Sequence, residues 1–382
     1  MIGKKIKWTT AGESHGKGLV ASIEGIPAGL KINTTIISDA LAARREGVAR
    51  GARQKFEEDK IEILTGVYQG VTTGAPISII IYNSEWPKWE AFMATDSNGE
   101  KDPMSLYSPR PGHADLEAIR KYDFETARFA LERASARETA ARVALGAVAT
   151  TLLNEFNIIV TDKITQFYDV VNPTESDIKK VADWCSENGE TVGGKVQTTV
   201  SNMPYGLGSF VSDDSRLESQ LAGAIMSIQA VKAVEIGAGT EYASLPGSVA
   251  HDEIELIEAQ KNNSSSSTLK RITNNAGGIE GGISNGEDLV VTATVKPIPS
   301  VPKALKTIDI RTGEPTQAHP QRSDASAVEP AAKVVNAEVA LIVADAILDK
   351  FGGDSLNQTV SNFENYYKDR ADYIKFYNEL HS

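Results

Sequence analysis

The chain has 382 residues, of which 41% are hydrophobic and 24% charged, and its formal net charge is −12. Such an acidic chain is a poor candidate for non-specific nucleic-acid binding, which needs surplus lysine and arginine to neutralise phosphates. No apolar run approaches the roughly 20 residues that span a bilayer, and the basic N-terminus lacks the apolar stretch of a signal peptide. The single cysteine, Cys185, excludes an internal disulfide and a thiolate metal cluster. The composition therefore predicts a cytoplasmic globular protein.

The first third of the chain contains both strand and helix patterns. Residues 17–26 alternate between apolar and polar side chains and predict a strand. Residues 38–46 predict a helix, and the β-branched run at 77–82 predicts a buried strand. Residues 83–115 lack periodicity and predict a long irregular loop, a type of connection that often acts as a lid.

The alanine-rich segment 126–153 predicts one long helix buried in the core, because small side chains let neighbouring elements approach closely. Further along, the patterns predict a polar helix at 175–190, strands at 196–200 and 288–296, a mobile four-serine loop at 264–267, and a C-terminal helix that Gly352 and Gly353 end. The alternation of strands and helices predicts an α/β or α+β fold.

Two of the five histidines, His15 and His113, lie in turns bounded by glycine or proline, each with a carboxylate nearby. Histidine changes its charge near neutral pH, and turns are where proteins often display reactive groups. Ten of the fifteen arginines fall between Arg44 and Arg142. Together these features predict a site that binds a multiply charged anion and moves protons on it.

Arg133 and Arg137 are four residues apart, so on one continuous helix their guanidinium groups would point the same way. Buried cations need anionic partners. These partners are either Glu132 or Glu138, in structural salt bridges, or a phosphate or carboxylate of a ligand. The arginines between residues 44 and 53 predict a solvated basic face, namely Arg44, Arg45, Arg50 and Arg53.

The segment 274–286 holds five glycines in thirteen residues. This density suits either close approach of the backbone to a planar ligand or phosphate, or a pair of tight turns. The segment 296–300 places a lysine and a serine after a predicted strand, and 319–324 sets an arginine beside a carboxylate. The sequence contains no phosphate-binding P-loop, dinucleotide fingerprint or zinc-binding helix motif, and no metal site is recognisable.

Six motifs in this order resemble the chorismate synthase family, over about residues 9–353. They are Gly-Glu-Ser-His-Gly at 12–16, Arg-Pro-Gly-His-Ala-Asp at 110–115, Ser-Ala-Arg-Glu-Thr-Ala-Ala-Arg at 135–142, the Asn-Asn-x-Gly-Gly-x-x-Gly-Gly run at 274–282, Lys-Pro-Ile-Pro-Ser at 296–300, and Arg-Ser-Asp at 322–324. The resemblance implies an α+β fold, a layered β-α-β sandwich with helices packed between antiparallel sheets, in one domain over residues 1–382. It also implies a homotetramer.

The activity implied by this resemblance is the 1,4-anti elimination of phosphate from 5-enolpyruvylshikimate 3-phosphate, which gives chorismate with reduced FMN as cofactor. His15 would protonate the departing phosphate, His113 would stabilise the reduced flavin near N1, and Asp324, with flavin N5, would remove the C6 proton. Substrate binding is implied for Ser14, Arg50, Arg53, Arg137 and Arg322.

Flavin contacts are implied for a second set of residues: Arg133, Ala134, Ser135, Gln229, Ala230, Gly281, Lys296, Pro297, Ile298, Pro299, Ser300 and Arg322. Arg44 and Arg50 match positions linked with NADPH in the family. The chain departs from the family pattern at Ala134, where serine is usual, at Gln229, where asparagine is usual, and at Glu329, which interrupts a common Val-Pro-Ala-Ala run. These departures predict an active enzyme with altered flavin affinity.

Two other functions remain open at this point. One is a bifunctional enzyme that also reduces FMN with NADPH, although no extra domain or dinucleotide fingerprint supports it. The other is a flavin- or phosphate-binding module without catalysis, in which His15 and Asp324 would be dispensable.

Overall fold

The computed structural model describes residues 3–49, 59–96, 105–257, 268–318 and 324–382. The strands in these residues are β1 Lys7–Ala11, β2 Gly18–Glu24, β3 Ile61–Thr65, β4 Val67–Tyr68, β5 Val71–Thr72, β6 Ile77–Tyr82, β7 Ile159–Phe167, β8 Val170–Val171, β9 Gly194–Ser201, β10 Val231–Ile236, β11 Ile254–Ile257, β12 Thr268–Arg271, β13 Ile279–Glu280, β14 Ile283–Ser284, β15 Leu289–Val295, β16 Lys306–Ile308 and β17 Pro315–Gln317. The α-helices are α1 Thr34–Arg45, α2 Trp86–Met93, α3 Asp115–Tyr122, α4 Arg128–Arg133, α5 Thr139–Asn154, α6 Glu175–Asn188, α7 Leu217–Met226, α8 Gly247–Ala250, α9 Val328–Phe351, α10 Leu356–Asp369 and α11 Tyr373–His381.

Two antiparallel sheets form the outer layers of the fold. The first has the strand order β1-β2-β6-β3 and the second the order β10-β15-β9-β7-β8. In the first sheet Ile23 pairs with Ile77, and in the second Ala293 pairs with Val196. Because side chains alternate between the two faces of a strand, each sheet buries one apolar row and leaves the other face more exposed.

Helices fill the space between the two sheets. Helix α5 packs on β1, β2 and β6, whereas α9 packs on β7, β9 and β15, and the two helices pack against each other. Both helices are buried along most of their length. The predicted α+β sandwich with helices between antiparallel sheets is therefore confirmed. In the described ranges, every helix is too short or too polar to cross a membrane.

Gly146 of α5 packs directly against Ala337 of α9. A Cβ atom built on this residue would lie 2.2 Å from the Cβ of Ala337. We expect Gly146→Ala to lower the free energy of unfolding by about 1–3 kcal/mol, because a well-packed core does not accept added volume. Gly223→Ala in α7, where nothing lies within 4 Å of the added carbon, should instead leave stability unchanged or raise it by up to about 1 kcal/mol. Denaturant unfolding measures both, and equal stability of the two variants would contradict the prediction.

The prediction of one helix over 126–153 is wrong, because the helix is interrupted. Helix α4 ends at Arg133, Ser135 is extended, a 3₁₀ turn covers Ala136–Glu138, and α5 then begins. The Ser135 hydroxyl accepts a hydrogen bond from the backbone N–H of Arg137 at 3.3 Å, which is how serine starts a new helical segment. Arg133 and Arg137 therefore do not share a helix face.

Other boundaries differ by a few residues. The helix predicted at 38–46 begins earlier, because the Asn33 side chain caps it by accepting from the Ile36 N–H at 3.1 Å. The region predicted as an irregular loop at 83–115 contains α2, and its residues 97–104 lie outside the described ranges, as does the four-serine run at 264–267. The other predicted strands and helices are confirmed, including the stop of α9 at Gly352, whose φ is +59°.

Candidate active site

His15 lies in the turn between β1 and β2, and a buried carboxylate from α4 holds its ring. Glu132, 2% exposed, places its two carboxylate oxygens 2.9 and 3.1 Å from His15 Nδ1. The same carboxylate accepts the His15 backbone N–H at 2.8 Å and the Ser14 hydroxyl at 2.9 Å. This arrangement keeps a proton on Nδ1 and turns Nε2 away from Glu132. Nε2 lies 4.0 Å from Glu85 Oε2.

Glu132 carries a negative charge at neutral pH. Burial by itself raises its pKa, but the hydrogen bond from His15 and the charges of His15 and Arg128 outweigh burial and lower the pKa below its usual value. Arg128 Nε lies 3.3 Å from Glu132 Oε1. A permanently charged carboxylate beside Nδ1 stabilises the ring while Nε2 gains or gives a proton.

His113 is held by a second buried carboxylate in the same way. Its Nδ1 lies 2.5 Å from Asp115 Oδ1, and Asp115 is only 1% exposed. Arg110 donates to Asp115 through its backbone N–H at 3.0 Å and through Nε at 2.8 Å, and its Nη2 lies 3.0 Å from His113 Nδ1. The turn from Arg110 to Asp115 is therefore one closed hydrogen-bonded unit.

We expect Asp115→Asn to lower the free energy of unfolding by about 2–3 kcal/mol at neutral pH, since hydrogen bonds to charged groups contribute that much. Burial opposes ionisation of Asp115, but its hydrogen bonds to His113 and Arg110 lower its pKa far below the usual value. A lowered folded-state pKa contributes stability above the unfolded value of about 3.9, and this stability disappears as the pH falls below that value. The difference between wild type and variant should therefore shrink below about pH 4. A gap in denaturant midpoint that does not change with pH would contradict this assignment.

The His113 turn contacts the segment 296–300. Lys296 Nζ donates to the Gly112 carbonyl at 2.5 Å, and Arg110 Nη1 donates to the Ser300 hydroxyl at 3.1 Å. The Lys296 backbone N–H donates to the Ala230 carbonyl at 2.9 Å. Burial, followed by repulsion from Lys232, lowers the pKa of the Lys296 ammonium group. Candidate residues from three distant parts of the sequence thus meet, with Pro297, Ile298 and Pro299 between Lys296 and Ser300.

Arg133 and Gln229 meet at another buried carboxylate, Glu138. Arg133 Nη2 donates to the Thr10 carbonyl at 2.9 Å, its Nη1 lies 3.9 Å from Glu138, and its side chain remains 46% exposed. Gln229 Nε2 donates to Glu138 at 2.9 Å. Burial raises the pKa of Glu138, but the charge of Arg142 and several hydrogen bonds lower it below its usual value. Glu138 rather than Glu132 is therefore the carboxylate near Arg133, while Ala134 and Ser135 form the break that follows.

Arg137 lies on the other side of the break and is tied to the His15 turn. Its Nε donates to Asn83 Oδ1 at 2.9 Å, and its Nη1 lies 2.5 Å from Asp59 Oδ1. Asn83 in turn donates to the carbonyls of Glu13 and Gly16 at 3.0 and 2.8 Å. Neither predicted glutamate pairs with Arg137 through these contacts, since Asp59 is its carboxylate partner. The side chain lies next to the turn that carries Ser14 and His15.

The predicted solvated basic face is wrong for Arg44, which is 6% exposed. Its Nε donates to the Thr139 hydroxyl at 3.0 Å and its Nη2 to the Ala136 carbonyl at 2.8 Å. These bonds tie Arg44 to the 3₁₀ turn Ala136–Glu138 and to Thr139, the first residue of α5. Of the other arginines in that prediction, Arg45 lies 3.7 Å from Asp59.

Arg50, Arg53 and Arg322 lie outside the described residues, but the segments that lead to them are tied together. Glu329 in the first turn of α9 accepts the backbone N–H groups of Val48 and Ala49, both at 2.9 Å. The Ala325 N–H, directly after Asp324, donates to the Ala49 carbonyl at 3.1 Å. Glu329, the residue that interrupts the family pattern, therefore fixes the backbone that leads to Arg50. This backbone lies beside the segment that begins at Asp324.

Most of the glycines in 274–286 form tight turns. A Cβ on Gly277 would lie 2.3 Å from the Gly237 nitrogen, and one on Gly278 2.7 Å from the Asp288 carbonyl. A Cβ on Gly282 would likewise lie too close to the Ser209 carbonyl oxygen. Gly281 differs, because it has a φ of +60° and nothing lies within 4 Å of an added Cβ. Gly281 and Gly282 are the two-residue turn between β13 and β14, so the tight-turn interpretation holds for Gly281 as well. Of these four glycines, Gly281 is the one with open space beside its backbone.

Several features fit a bound flavin. The Gln229 Oε1 atom is buried and has no hydrogen-bond partner within the described part of the chain, and a buried acceptor without a donor is costly. Lys296 is a partly desolvated cation, and Gly281 offers open backbone. An acceptor, a cation and an approachable backbone suit the donors and acceptors of an isoalloxazine ring and its phosphate-bearing tail.

The sequence motifs identify His15 and His113 as candidate site residues, but they do not identify the carboxylates that hold the two imidazole rings. Asp115 was visible in its motif, two residues after His113, and that spacing in a turn was the available signal. Glu132 was visible only as a possible partner of an arginine, because 117 positions separate it from His15. Asn83, which joins Arg137 to the His15 turn, carried no recognisable signal.

Two histidines, each fixed by a buried carboxylate and lying near arginines or a lysine, form a site of the class suited to proton transfer on an anionic substrate. The chorismate synthase family model matches residues 6–348. A chorismate synthase from Streptomyces coelicolor is 46% identical over 393 residues, covering 95% of this chain and 98% of its own. One from Kocuria rhizophila is 45% identical and covers 94% and 92%. A crystal structure of chorismate synthase matches with a TM-score of 0.75 at 34% identity, covering 96% of this chain and 98% of its own. The chain belongs to the chorismate synthase family.

Proposed function

We propose that this chain catalyses the reaction of its family through a division of roles between His15, His113 and Asp324. The reaction is the 1,4-anti elimination of phosphate from 5-enolpyruvylshikimate 3-phosphate to give chorismate, the last common step towards the aromatic amino acids, and the enzyme is a carbon–oxygen lyase. The observation that carries the proposed roles is the Glu132–His15 pair, with Nε2 turned away from the carboxylate.

His15 acts as the general acid. As the bond between C3 and the phosphate oxygen breaks, Nε2 of the protonated ring gives its proton to the leaving phosphate. Glu132 keeps its hydrogen bond to Nδ1 throughout, so that the ring cannot turn to present the wrong nitrogen. Ser14, held by the same carboxylate, places its hydroxyl beside the ring and binds the substrate.

Asp324 removes the proton from C6, and arginines bind the three anionic groups of the substrate. Arg137 lies beside the His15 turn, and Arg50, Arg53 and Arg322 complete the cationic set. Planar guanidinium groups bind phosphate and carboxylate with two parallel hydrogen bonds. The tie between Ala325 and Ala49 supports a position of Asp324 at the edge of this cationic set.

The family requires a reduced flavin, and we propose FMN held by the second group of residues. Reduced flavin supplies electron density that assists departure of the phosphate. Gln229, Lys296 and Ser300, with the backbone of Ala230 and Gly281, would hold the cofactor, together with the exposed guanidinium of Arg133. His113, fixed at Nδ1 by Asp115, would share a proton with the bound reduced flavin.

NADPH as the reductant would be bound through Arg44 and Arg50, which match the family positions linked with it. Arg44 donates two hydrogen bonds at the start of α5, to the Thr139 hydroxyl and the Ala136 carbonyl. Contact with the dinucleotide would therefore depend mainly on Arg50. A homotetramer stays a prediction from the sequence resemblance, and a cytoplasmic location stays a prediction from the composition. Light scattering should give a mass of about four times 41.0 kDa for the tetramer, and a monomer mass would contradict it.

The test of the proposed function is anaerobic release of phosphate from 5-enolpyruvylshikimate 3-phosphate, with chorismate followed in parallel. Turnover with dithionite-reduced FMN, in equal amounts of phosphate and chorismate, supports the lyase and its cofactor. Turnover with reduced FAD but not FMN would overturn the choice of flavin. Tight FMN binding without phosphate release would indicate a binding module. NADPH oxidation in air in the presence of FMN would indicate the bifunctional enzyme.

A further inference from the structure

A tryptophan from α2 lies against the ring of the catalytic histidine. The ring centroids of Trp89 and His15 are 4.4 Å apart, with an angle of 40° between the rings. Glu132 binds the imidazole at its edge, through Nδ1. An edge contact at one nitrogen leaves the ring able to rock about that hydrogen bond, whereas an aromatic neighbour restricts this movement. Trp89 is absent from the motifs that carry the family resemblance and has no part in the roles proposed above.

The indole is itself held by a buried cation. The guanidinium carbon of Arg128 lies 4.3 Å from the centroid of the Trp89 ring, and Arg128 is 6% exposed. Such cation–π contacts are strongest where water is excluded. Arg128 Nε also lies 3.3 Å from Glu132. The contacts thus form a closed cycle, in which His15 touches Trp89, Trp89 touches Arg128, Arg128 touches Glu132, and Glu132 touches His15.

This cycle joins helix α2 to helix α4 around one imidazole. Because each of the four side chains touches two others in the cycle, none can move without breaking two contacts. Glu85, the residue before α2, lies 4.0 Å from His15 Nε2, so α2 also borders the nitrogen that faces the substrate. Proton transfer depends steeply on such geometry, and a misplacement of about 1 Å can cost about a hundredfold in rate.

We propose that Trp89 is a positioning residue for the known reaction, which fixes the plane of the His15 ring so that Nε2 faces the departing phosphate. The proposal rests on the role proposed for His15. Trp89 acts through the histidine and touches neither substrate nor cofactor in this account. Removal of the indole should therefore reduce the rate of the chemical step and leave substrate binding nearly unchanged.

The experiment compares Trp89→Leu with Trp89→Phe in the anaerobic phosphate assay. Trp89→Leu should lower kcat by about ten- to a hundredfold while KM changes by less than about threefold, the pattern of an interaction that matters only in the transition state. Trp89→Phe keeps an aromatic face and should retain kcat within about threefold. Trp184→Leu, whose indole stacks on Tyr168 at 5.5 Å, is the matched control and should behave as wild type.

Two further measurements separate positioning from general damage. In a His15→Ala background, Trp89→Leu should cause no additional loss of kcat, because the ring that it positions is gone. In crystals of Trp89→Leu, the His15 ring should be rotated or occupy more than one orientation, whereas it should keep a single orientation in Trp89→Phe. If the leucine variant does not fold, Trp89→Met replaces it, since methionine keeps apolar volume without an aromatic plane.

Several results would overturn the proposal. An unchanged kcat in Trp89→Leu, a tenfold rise in KM alone, or an equal loss in Trp89→Leu with and without His15 would each show that Trp89 does not position the ring. Full activity of His15→Ala would instead remove the role proposed for His15. The two failures are therefore distinguishable.

Discussion

Replacement of His15 by alanine should lower kcat for phosphate release by about 10²–10⁴-fold, the range that a positioned general acid contributes. The physical reason is that a departing phosphate carries away negative charge, and a proton from Nε2 neutralises that charge as the bond breaks. KM should change little, because the proposed binding of the substrate rests on arginines rather than on the imidazole. The measurement is single-turnover phosphate release under anaerobic conditions with excess enzyme and reduced FMN.

Two variants serve as controls for His15. His251→Ala changes an exposed histidine in a loop and should leave turnover unchanged. Glu132→Gln keeps the shape of the partner but removes its charge, so its kcat should fall between those of wild type and His15→Ala. A His15→Ala enzyme that retains kcat within about threefold of wild type would contradict the assignment of the general acid.

Asp324→Ala should lower kcat by at least about a hundredfold, because a positioned base contributes about 10²–10⁴-fold to a proton transfer. If the carboxylate removes the C6 proton, its loss makes that step slower relative to phosphate departure. A substrate deuterated at C6 should therefore show a larger isotope effect on chorismate formation in the variant than in the wild type. Rapid-quench measurements with both substrates give this ratio.

Asp349→Ala is the matched control for Asp324. Asp349 pairs with Lys4 at the surface, and surface pairs contribute little to stability, so this variant should turn over normally. If Asp324→Ala loses activity while its isotope effect equals that of the wild type, the carboxylate binds or orients another group and a different residue removes the proton.

Some residues of the candidate site can be predicted from sequence patterns, whereas others are identified only by their tertiary contacts. The motifs around His15 and His113 were visible because turn residues cluster locally, and the Asp115 partner lies within the same turn. Glu132 reaches His15 from α4, and Trp89 reaches it from α2, so no local pattern could assign either contact. The wrong prediction for Arg44 has the same origin, because its burial depends on α5, whose first residue accepts a hydrogen bond from it.

Patterns in the sequence are enough to predict the alternation of strands and helices, the buried character of the alanine-rich helix, the motifs of the family and the two turns that carry His15 and His113, the proposed catalytic histidines. These follow from local properties, namely side-chain periodicity, small residues and the conformational needs of glycine and proline. Three features are visible only in the tertiary structure. They are the break at Ser135 that separates Arg133 from Arg137, the carboxylate partner of each cation, and the cycle of contacts around the His15 ring. A buried charge needs an oppositely charged group nearby, because burial of an unpaired charge is costly. Tertiary packing determines which group lies close enough, and that group is often distant in the sequence.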